Sequence, residues 1–403
     1  MPTDTVMDPD SLLRRVLSAP DGPDRCSFLA QLREDHPVHR TGDGVYVFSR
    51  YAEVSVIARD PAFAVKDAGW FDTHVPGWRA SAGMRLFCSS MLFHDGRSHQ
   101  RLRKVLTAAL APSRLRLLLD VVRQSTEHHL DALDAERSDG GVVDLHGLVT
   151  LPVTRATGCA LIGVPERDGA MLYDLVQPLL ALLDPEVGLR TVLRSDRAAK
   201  ALRPYLDELI ADRRARPGAD LASLAAALSD DEAASALMLA LAAGFDTTVT
   251  LLDNAVSALL SSAARAPVAA GDPVVVDAAV HEALRLAPPI QLITRIARHE
   301  VTVGGVRLEA GQEVMALIVA AHRDPDEFRE PETFDVRRPT GQLLSFGGGA
   351  HYCLGAQLAK LEASVVLPAV LRRFPRMAAT GGPQMNGRVT VRGWSDFPVA
   401  PHG

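Results

Sequence analysis

A cysteine between a glycine-rich loop and a helical pattern constrains this chain more than any other feature. The stretch Ser345–Glu362 contains three consecutive glycines, then Cys353, then leucines at helical spacing. The glycines allow the backbone to fold tightly and to approach a flat ligand without side-chain clashes. Cys353 precedes the predicted helix, where the helix dipole and free backbone N–H groups favour a thiolate over a thiol. The sequence therefore predicts a thiolate held in a fixed loop, which suits a soft metal centre such as a haem iron.

The alternative for any cysteine is a small buried side chain, and that is our expectation for Cys26, Cys88 and Cys159. Cys353 differs because it lies in the pattern Phe-x-x-Gly-x-x-x-Cys-x-Gly, which begins at Phe346. This pattern resembles the haem-binding loop of the cytochrome P450 family. The resemblance continues in register over most of the chain.

The resemblance implies a mainly α fold with a smaller β-rich portion, in a single large haem domain that spans residues 1–403. The β-rich portion is expected mostly near residues 40–60 and 290–320 and at the C-terminus, and the haem-thiolate loop at 345–355. The implied cofactor is haem b, with the thiolate of Cys353 as the axial ligand of the iron. The other cofactor contacts expected from this loop are Phe346, Gly347, His351 and Gly355.

The composition excludes several classes of function. The 403 residues are 47% hydrophobic and 23% charged, with a net charge of −6. An acidic protein repels phosphate, so we expect no nucleic-acid partner. Four cysteines without paired spacing argue against a disulfide framework and fit a reducing cytosol. Residues 1–24 lack the apolar run of a signal or anchor, and no apolar window reaches the length of a membrane span. The sequence therefore predicts a cytoplasmic protein without a membrane segment.

Two cations upstream of the loop are candidates for binding the cofactor's carboxylates. His99 and Arg103 are four residues apart, so they share one face of a helix. On their own they would be read as a solvated surface pair, but the segment resembles the family helix that holds the haem propionates. Arg295 matches a further propionate-binding arginine of the family. Arg101 and Lys104 are then expected near the outer face of the same helix, as a docking surface for an acidic redox partner.

A capping box opens the longest predicted helix. The run from Ser229 to Glu232 places a serine and a glutamate at the spacing that caps helix N-termini. The apolar pattern that follows predicts a helix from about Glu232 to Ala264, which is far longer than the average helix. We expect this helix to form part of the core.

Polar and small residues interrupt the middle of this helix. Asp246 and Thr247 break an otherwise apolar face, and a glycine in a helix centre costs stability, so the interruption hints at function. On its own an Asp-Thr pair would more often be a kink or a solvated patch. The run resembles the family's oxygen-activating helix, with Asp246 and Thr247 as its catalytic acid–alcohol pair. Ala243 and Gly244 would let the helix pass close to the haem.

A Glu-x-x-Arg pattern, Glu282 to Arg285, would by itself be an ordinary surface ion pair worth about 0.3 kcal/mol. In register it resembles the buried Glu–Arg pair of the family. The expected third member is Arg337 or Arg338. We interpret this cluster as a scaffold for the cysteine loop rather than as part of the chemistry.

Three segments are expected to surround a substrate. Residues 61–90 lack a clear pattern and correspond to the roof of the active site in the resembled family, while residues 172–193 correspond to a mobile lid. The third segment follows the Glu-x-x-Arg helix and would be explained equally well by a buried strand. Aligned with the resembled family, it corresponds to residues that line the substrate pocket. Its residues are Ile290, Gln291, Leu292 and Ile293.

The resemblance implies a monooxygenase that inserts one atom of O2 into an organic substrate, by hydroxylation or epoxidation. The expected setting is a tailoring step in bacterial secondary metabolism, including antibiotic biosynthesis, on a polyketide, macrolide, terpene or peptide. The substrate is either a free small molecule or bound to a carrier. No reductase or flavin motif is visible. We therefore expect electrons from a ferredoxin and a ferredoxin reductase that uses NAD(P)H.

Three alternatives remain at this point: a haem-thiolate peroxygenase, a nitric-oxide-reducing member supplied by reduced nicotinamide, and a haem-binding protein without monooxygenase activity. The pair Asp246–Thr247 argues against the first and the last of these. Dependence of turnover on ferredoxin would distinguish the monooxygenase from all three.

Overall fold

One long apolar helix organises the helical part of the molecule. The computed structural model describes residues 7–20, 22–136, 141–339 and 341–402. The α-helices in these ranges are α1 (Pro9–Ser18), α2 (Pro23–Asp35), α3 (Tyr51–Arg59), α4 (Ala68–His74), α5 (Ala82–Cys88), α6 (Gly96–Ala109), α7 (Pro112–Ala135), α8 (Leu151–Ile162), α9 (Gly169–Leu180), α10 (Leu189–Ala215), α11 (Leu221–Ala225), α12 (Asp230–Leu260), α13 (Arg265–Ala269), α14 (Pro273–Leu286), α15 (Ile318–Ala321) and α16 (Ala356–Arg373).

Helix α12 is the predicted long core helix. It begins at Asp230 and ends at Leu260, slightly earlier at both ends than the pattern indicated. The predicted capping box is not formed as expected, because the Ser229 side chain accepts no hydrogen bond from the backbone of the first turn. Its hydroxyl instead donates to the Glu232 carboxylate at 2.9 Å, and the acids of the first turn complement the helix dipole. Helices α5, α8, α9, α10, α11, α14 and α16 pack around it.

The expectation that no apolar window of the chain could span a membrane is wrong for α12. By length and composition α12 could span a membrane, because it contains an 18-residue window with a mean hydropathy of 1.6. In this fold, however, 72% of that window is buried inside the protein. Core helices of globular proteins pass the same test. Residues 1–6 of the N-terminal segment lie outside the described residues.

The strands form one principal sheet and two small ones. The strands in the described ranges are β1 (Val38–Arg40), β2 (Tyr46–Phe48), β3 (Phe63–Ala64), β4 (Val143–Asp144), β5 (Leu292–Ala297), β6 (Val301–Val303), β7 (Val306–Leu308), β8 (Glu313–Leu317), β9 (Ala378–Ala379) and β10 (Pro398–Ala400). The principal sheet has the order β1-β2-β8-β5-β3, in which only β2 and β8 pair in parallel. Strands β4, β10 and β9 form the second sheet, and β6 and β7 form a hairpin. A mainly α fold with a smaller β-rich portion is therefore confirmed.

The segment that the sequence predicts to be irregular contains two short helices, α4 and α5. The Asp67 carboxylate accepts a hydrogen bond from Trp70 N at 2.9 Å, and the Ser81 hydroxyl accepts one from Met84 N at 3.1 Å. Each side chain therefore satisfies a free N–H at a helix start. These caps explain why helices form here among glycines and a proline.

The Glu-x-x-Arg pair is a buried scaffold. The guanidinium of Arg285 donates twice to the Glu282 carboxylate, at 2.8 and 2.9 Å, and both side chains are buried. Arg338, not Arg337, is the third member, with its Nε 3.2 Å from Glu282. Arg337 pairs with Asp335 instead. Arg285 also donates to backbone carbonyls of the segment that leads to the cysteine loop, so the cluster ties α14 to that segment.

Candidate functional site

Glycines with left-handed backbone angles shape the cysteine loop. Gly347 and Gly349 have φ angles of 70° and 56°, which side chains disfavour. A Cβ on Gly349 would also lie 2.8 Å from the carbonyl oxygen of Arg59. The backbone N–H of Cys353 donates to the carbonyl of Phe346 at 2.8 Å, which closes the loop. The loop therefore fixes Cys353 directly before α16.

The sulfur of Cys353 lies in a recess. The residue keeps solvent-accessible surface, yet protein atoms crowd around its thiol. This burial raises the pKa of Cys353, while backbone hydrogen bonds from Gly355 and Ala356 and the charge of Arg103 act to lower that pKa. Donors and a cation thus face the position where a thiolate would lie. This arrangement fits a metal-binding sulfur, because a bound cation adds the charge stabilisation that burial removes.

Buried polar atoms without partners lie near this recess. His99 Nε2 and Arg103 Nη1 are buried and have no hydrogen-bond partner among the described residues. The other terminal nitrogen of Arg103 donates to the carbonyl of Tyr352 at 2.8 Å, which places this arginine beside Cys353. Burial, together with the nearby charges of His351 and Arg103, lowers the pKa of His99 to about 4. Buried polar atoms of this kind require hydrogen-bond partners. They therefore fit a cofactor that carries carboxylates.

His351 and Arg295 lie on the same side of the site, with an acid that the sequence reasoning missed. The rings of His351 and His99 are 4.3 Å apart, and His351 Nε2 is hydrogen-bonded to Asp95 at 2.9 Å. Burial acts to raise the pKa of Asp95, but hydrogen bonds from His351 and Val65 N and the charge of Arg298 lower it to about 2. Arg295 Nη1 donates to the carbonyl of Thr294, and burial lowers its pKa. Asp95 could have been found as the residue that precedes α6, where acids cap helices.

Four small or polar residues form an accessible stripe on α12. Ala240, Ala243, Gly244 and Thr247 keep accessible surface in a helix whose other central residues are mostly buried. Their spacing places them on one face. A Cβ on Gly244 would meet no atom within 4 Å, so open space adjoins the helix there. The Thr247 hydroxyl donates to the carbonyl of Ala243 at 2.7 Å. This stripe is the part of α12 that a flat cofactor and a substrate can reach.

Asp246 lies next to this stripe but is buried in a polar network. Its carboxylate accepts hydrogen bonds from Gln177 Nε2 at 3.0 Å and from the Tyr173 hydroxyl at 3.3 Å. The guanidinium of Arg388 pairs with the other carboxylate oxygen and also donates to the Gln177 side chain. Gln177 and Tyr173 belong to α9, whereas Arg388 comes from the C-terminal segment. The sequence reasoning missed all three, and only the spacing of Tyr173 and Gln177 on one helix face offers a signal.

The segment after α14 provides two pocket candidates instead of four. Ile290 and Ile293 are half-buried and pack against the apolar clusters beside α12 and the principal sheet. Gln291 accepts a hydrogen bond from Arg25 at 2.7 Å, and Leu292 packs with Leu12 in the N-terminal cluster. We correct the prediction for Gln291 and Leu292. Their side chains face α1 and α2, because the chain runs along those helices at this point.

The predicted redox docking surface also changes. Arg101 forms a bidentate ion pair with Glu232, with Nη1 3.0 Å from Oε2. It therefore joins α6 to the acidic first turn of α12. Lys104 is exposed and has no ion pair within the described ranges. Of the two cations expected there, Lys104 alone remains a docking candidate.

A cysteine loop flanked by donors for carboxylates, together with an apolar helix that carries an accessible stripe, fits a haem-thiolate site. A family model described as Cytochrome P450 matches residues 274–385. Cytochrome P450 BJ-3 of Bradyrhizobium diazoefficiens is 30% identical over 93% of this chain and 92% of its own length. The 6-deoxyerythronolide B hydroxylase of Saccharopolyspora erythraea is 34% identical over 72% of each chain.

A solved structure of P450BioI in complex with a fatty-acyl carrier protein superposes with a TM-score of 0.85 at 28% identity, over 93% of this chain and 97% of that one. The chain belongs to the cytochrome P450 family. It is therefore a monooxygenase whose cofactor is haem b, bound through a cysteine thiolate.

Proposed function

We propose that this enzyme inserts one oxygen atom from O2 into a C–H bond or an alkene of an organic substrate, as a tailoring step in cytoplasmic biosynthesis of a bacterial secondary metabolite. The observation that carries this proposal is the position of Thr247 and Asp246. The alcohol lies on the accessible stripe of α12, while the adjacent acid is held in a buried network. The pair thus connects the accessible stripe of α12, where a substrate would lie, to buried groups that can exchange protons.

The residues that hold the cofactor are proposed from their contacts. The thiolate of Cys353 would bind the haem iron, and the loop residues Phe346, Gly347 and Gly355 would shape its surroundings. His99, Arg103, Arg295 and His351 would bind its propionate carboxylates. Ala243 and Gly244 allow α12 to approach the ring. When bound, the haem supplies the oxygen-activating redox chemistry.

The chain's own residues manage protons and exclude water. The Thr247 hydroxyl now donates to Ala243 O, and by rotating it can instead hold a water in the recess. The Asp246 carboxylate relays protons to that water when Arg388 or Gln177 releases one of its oxygens. Ile290 and Ile293 are half-buried and apolar, and as lining of the substrate pocket they would let an organic substrate displace water readily.

The proposed partners are a ferredoxin and its NAD(P)H-dependent reductase. Lys104 is the candidate contact for the ferredoxin, because an exposed cation attracts an acidic partner. The substrate class follows from the relatives by analogy only. One relative is named as a hydroxylase of 6-deoxyerythronolide B, and one structural neighbour was solved with an acyl-loaded carrier protein. Both free and carrier-bound metabolites are therefore candidates.

A labelling experiment tests the proposal. The purified haem protein is supplied with a ferredoxin, a reductase, NADPH and a panel of metabolites that shift its Soret band to high spin. We expect the product to contain one oxygen atom from ¹⁸O2, and turnover to stop without ferredoxin. Turnover with hydrogen peroxide alone, and none with ferredoxin, would identify a peroxygenase and contradict the proposal. The same assay is applied to Thr247→Ala, which removes the hydroxyl. Thr247→Ser is the matched control, because it retains the hydroxyl.

A further inference from the structure

The first half of α10 carries an exposed stripe of cations. Arg190, Arg194, Arg197 and Lys200 are all exposed, and their spacing places them along one face of the helix. Within the described ranges, none of the four has a hydrogen bond or an ion pair to another side chain. The second half of the same helix differs, because Arg203 pairs with both Asp207 and Asp231.

This stripe is unfavourable for the isolated protein. Like charges three or four residues apart repel each other along a helix. Arg190 and Arg194 also lie in the first turns of α10, where the helix dipole disfavours cations. The whole chain is acidic, with a net charge of −6. A local cost of this kind on an exposed surface indicates a binding role.

The acids closest in sequence do not neutralise the stripe. Asp196 points inward, where its carboxylate accepts hydrogen bonds from the Ser81 hydroxyl at 2.5 Å and from Gly83 N at 3.0 Å. Glu186 is exposed in the loop before α10 and forms no ion pair with the stripe in the part of the chain that the structure describes. The positive charges therefore face solvent.

Exposed apolar side chains adjoin the cations. Leu189 is 74% exposed, Leu193 is 48% exposed, and Val187 in the preceding loop is 38% exposed. Leu189 and Leu193 are four residues apart, so they form an apolar edge along the stripe. We call these three residues, with the four cations, the α10 patch. An apolar centre with charged residues around it is the usual composition of a protein interface.

The α10 patch begins in the segment that the sequence predicts to form the lid of the site. Helix α9, which precedes α10, supplies Gln177 to the Asp246 network. The connection between the two helices contacts the C-terminal segment, since Thr390 donates through its hydroxyl to Leu183 O and through its N–H to Asp184, both at 2.8 Å. The patch shares no element with the Cys353 loop. A partner that binds here therefore contacts the substrate lid, not the thiolate loop.

We propose that the α10 patch docks an acidic carrier protein, which presents the substrate on a phosphopantetheine arm. The inference rests on the proposed function, because it names how the substrate of that site is delivered. Unpaired cations match an acidic helical surface. A membrane surface matches less well, since the patch contains three aliphatic residues and no aromatic one, and the inner face of α10 is buried in the core.

The test compares two sets of charge reversals. The patch variant is Arg190→Glu, Arg194→Glu and Arg197→Glu. The control variant is Arg116→Glu, Arg372→Glu and Arg376→Glu, which are exposed arginines of α7 and the α16 end without ion pairs in the described residues. Glutamate near the start of α10 suits the helix dipole, so the patch variant should fold. Leu193→Ser is a second variant that keeps all charges.

Binding is measured by calorimetry with a phosphopantetheinylated acyl carrier protein and a phosphopantetheinylated peptidyl carrier domain, at two ionic strengths. We expect at least one probe to bind the native enzyme, and the patch variant to weaken its Kd by about tenfold at low salt. The control variant should stay within about twofold, and Leu193→Ser should weaken binding by a factor that salt does not change. Equal affinity in the patch variant, no binding of either probe, or patch-dependent binding to anionic vesicles instead would overturn the proposal.

Failure of the inference is distinguishable from failure of the proposed function. The thiolate-type carbonyl spectrum, and ferredoxin-dependent oxidation of a free metabolite or of an acyl-pantetheine thioester that needs no carrier protein, test the function without the patch. If those are normal while carrier binding ignores the patch, only the inference is wrong. If carrier binding depends on the patch but no ferredoxin-dependent oxidation occurs, the docking surface stands and the proposed function is wrong.

Discussion

The guanidinium of Arg388 pairs with the carboxylate of Asp246, although the two residues are 142 positions apart in the chain. Both side chains are almost completely buried. The pair connects the C-terminal segment to the middle of α12, next to Thr247. Gln177 contacts both members, so helix α9 takes part in the same network.

Replacing Arg388 should lower the stability of the folded protein. Arg388→Ala leaves a buried carboxylate without its cation, which costs about 3–5 kcal/mol of unfolding free energy for pairs of this kind. Arg388→Lys keeps the charge and serves as the control. Chemical denaturation of the single variants and of Arg388→Ala/Asp246→Asn measures the effect. Because the double variant removes both charges, it should recover most of the loss; an equally unstable double variant would show that the ion pair is not the cause.

Thr247→Ala should separate electron consumption from product formation. Without the hydroxyl, the recess loses the group that holds the proton-donating water, and proton transfer by a positioned group contributes on the order of 100-fold or more. We expect NADPH to be consumed while hydrogen peroxide accumulates in place of product. Thr247→Ser should stay coupled. The ratio of product to NADPH is the measurement, and an unchanged ratio in Thr247→Ala would mean that the acid–alcohol pair has been misassigned.

Cys353→Ser should abolish the thiolate-type carbonyl spectrum of the reduced protein. Serine keeps the size of the side chain but does not supply a soft anionic ligand. Cys26→Ser is the control, because Cys26 is half-buried and lies in α2, outside the loop. Carbonyl difference spectra of the two variants give the answer. A thiolate-type band that survives in Cys353→Ser would require another axial ligand.

Glu362 should make the protein less stable as the pH rises. Burial raises the pKa of this carboxyl in α16 well above its usual value, against a smaller opposing effect from its hydrogen bond to Thr157. The folded state therefore binds a proton that the unfolded state has lost above its ordinary pKa of about 4.5. Stability should decrease from that pH upward until the folded-state pKa is reached.

Glu362→Gln keeps the shape and removes the titration. We expect this variant to unfold at a higher temperature than the native protein at pH 8, and the gap to narrow at pH 5. Thermal unfolding of both proteins across this range is the measurement. A gap that widens at low pH would show that the carboxyl is charged in the folded state.

Local sequence patterns predicted the parts of this molecule that are local in the chain. The loop around Cys353 and the start of α12 each lie within a few consecutive residues, so the glycines of the loop and the position of the helix start could be recognised directly. The short helices α4 and α5 were missed because single capping side chains, Asp67 and Ser81, decide them among residues that disfavour helix.

Contacts between distant segments could not be predicted. Nothing near Arg388 in the sequence indicates that it reaches Asp246, and Asp95 meets His351 only because the cysteine loop packs against the start of α6. Gln291 shows that residues adjacent in the chain can also face different parts of the fold. It follows Ile290 directly, yet its amide binds Arg25 of an N-terminal helix, and the sequence contains no signal for that change of direction.

The pairing of Asp246 with Arg388 also determines the electrostatic character of the reaction chamber. One negative and one positive charge, both on buried side chains, cancel at short range, so this network places no net charge beside the accessible stripe of α12. A neutral, oily metabolite can enter without stripping water from an isolated ion. Selectivity among such molecules must then come from shape, and an organism could retune it by exchanging apolar side chains without disturbing proton supply.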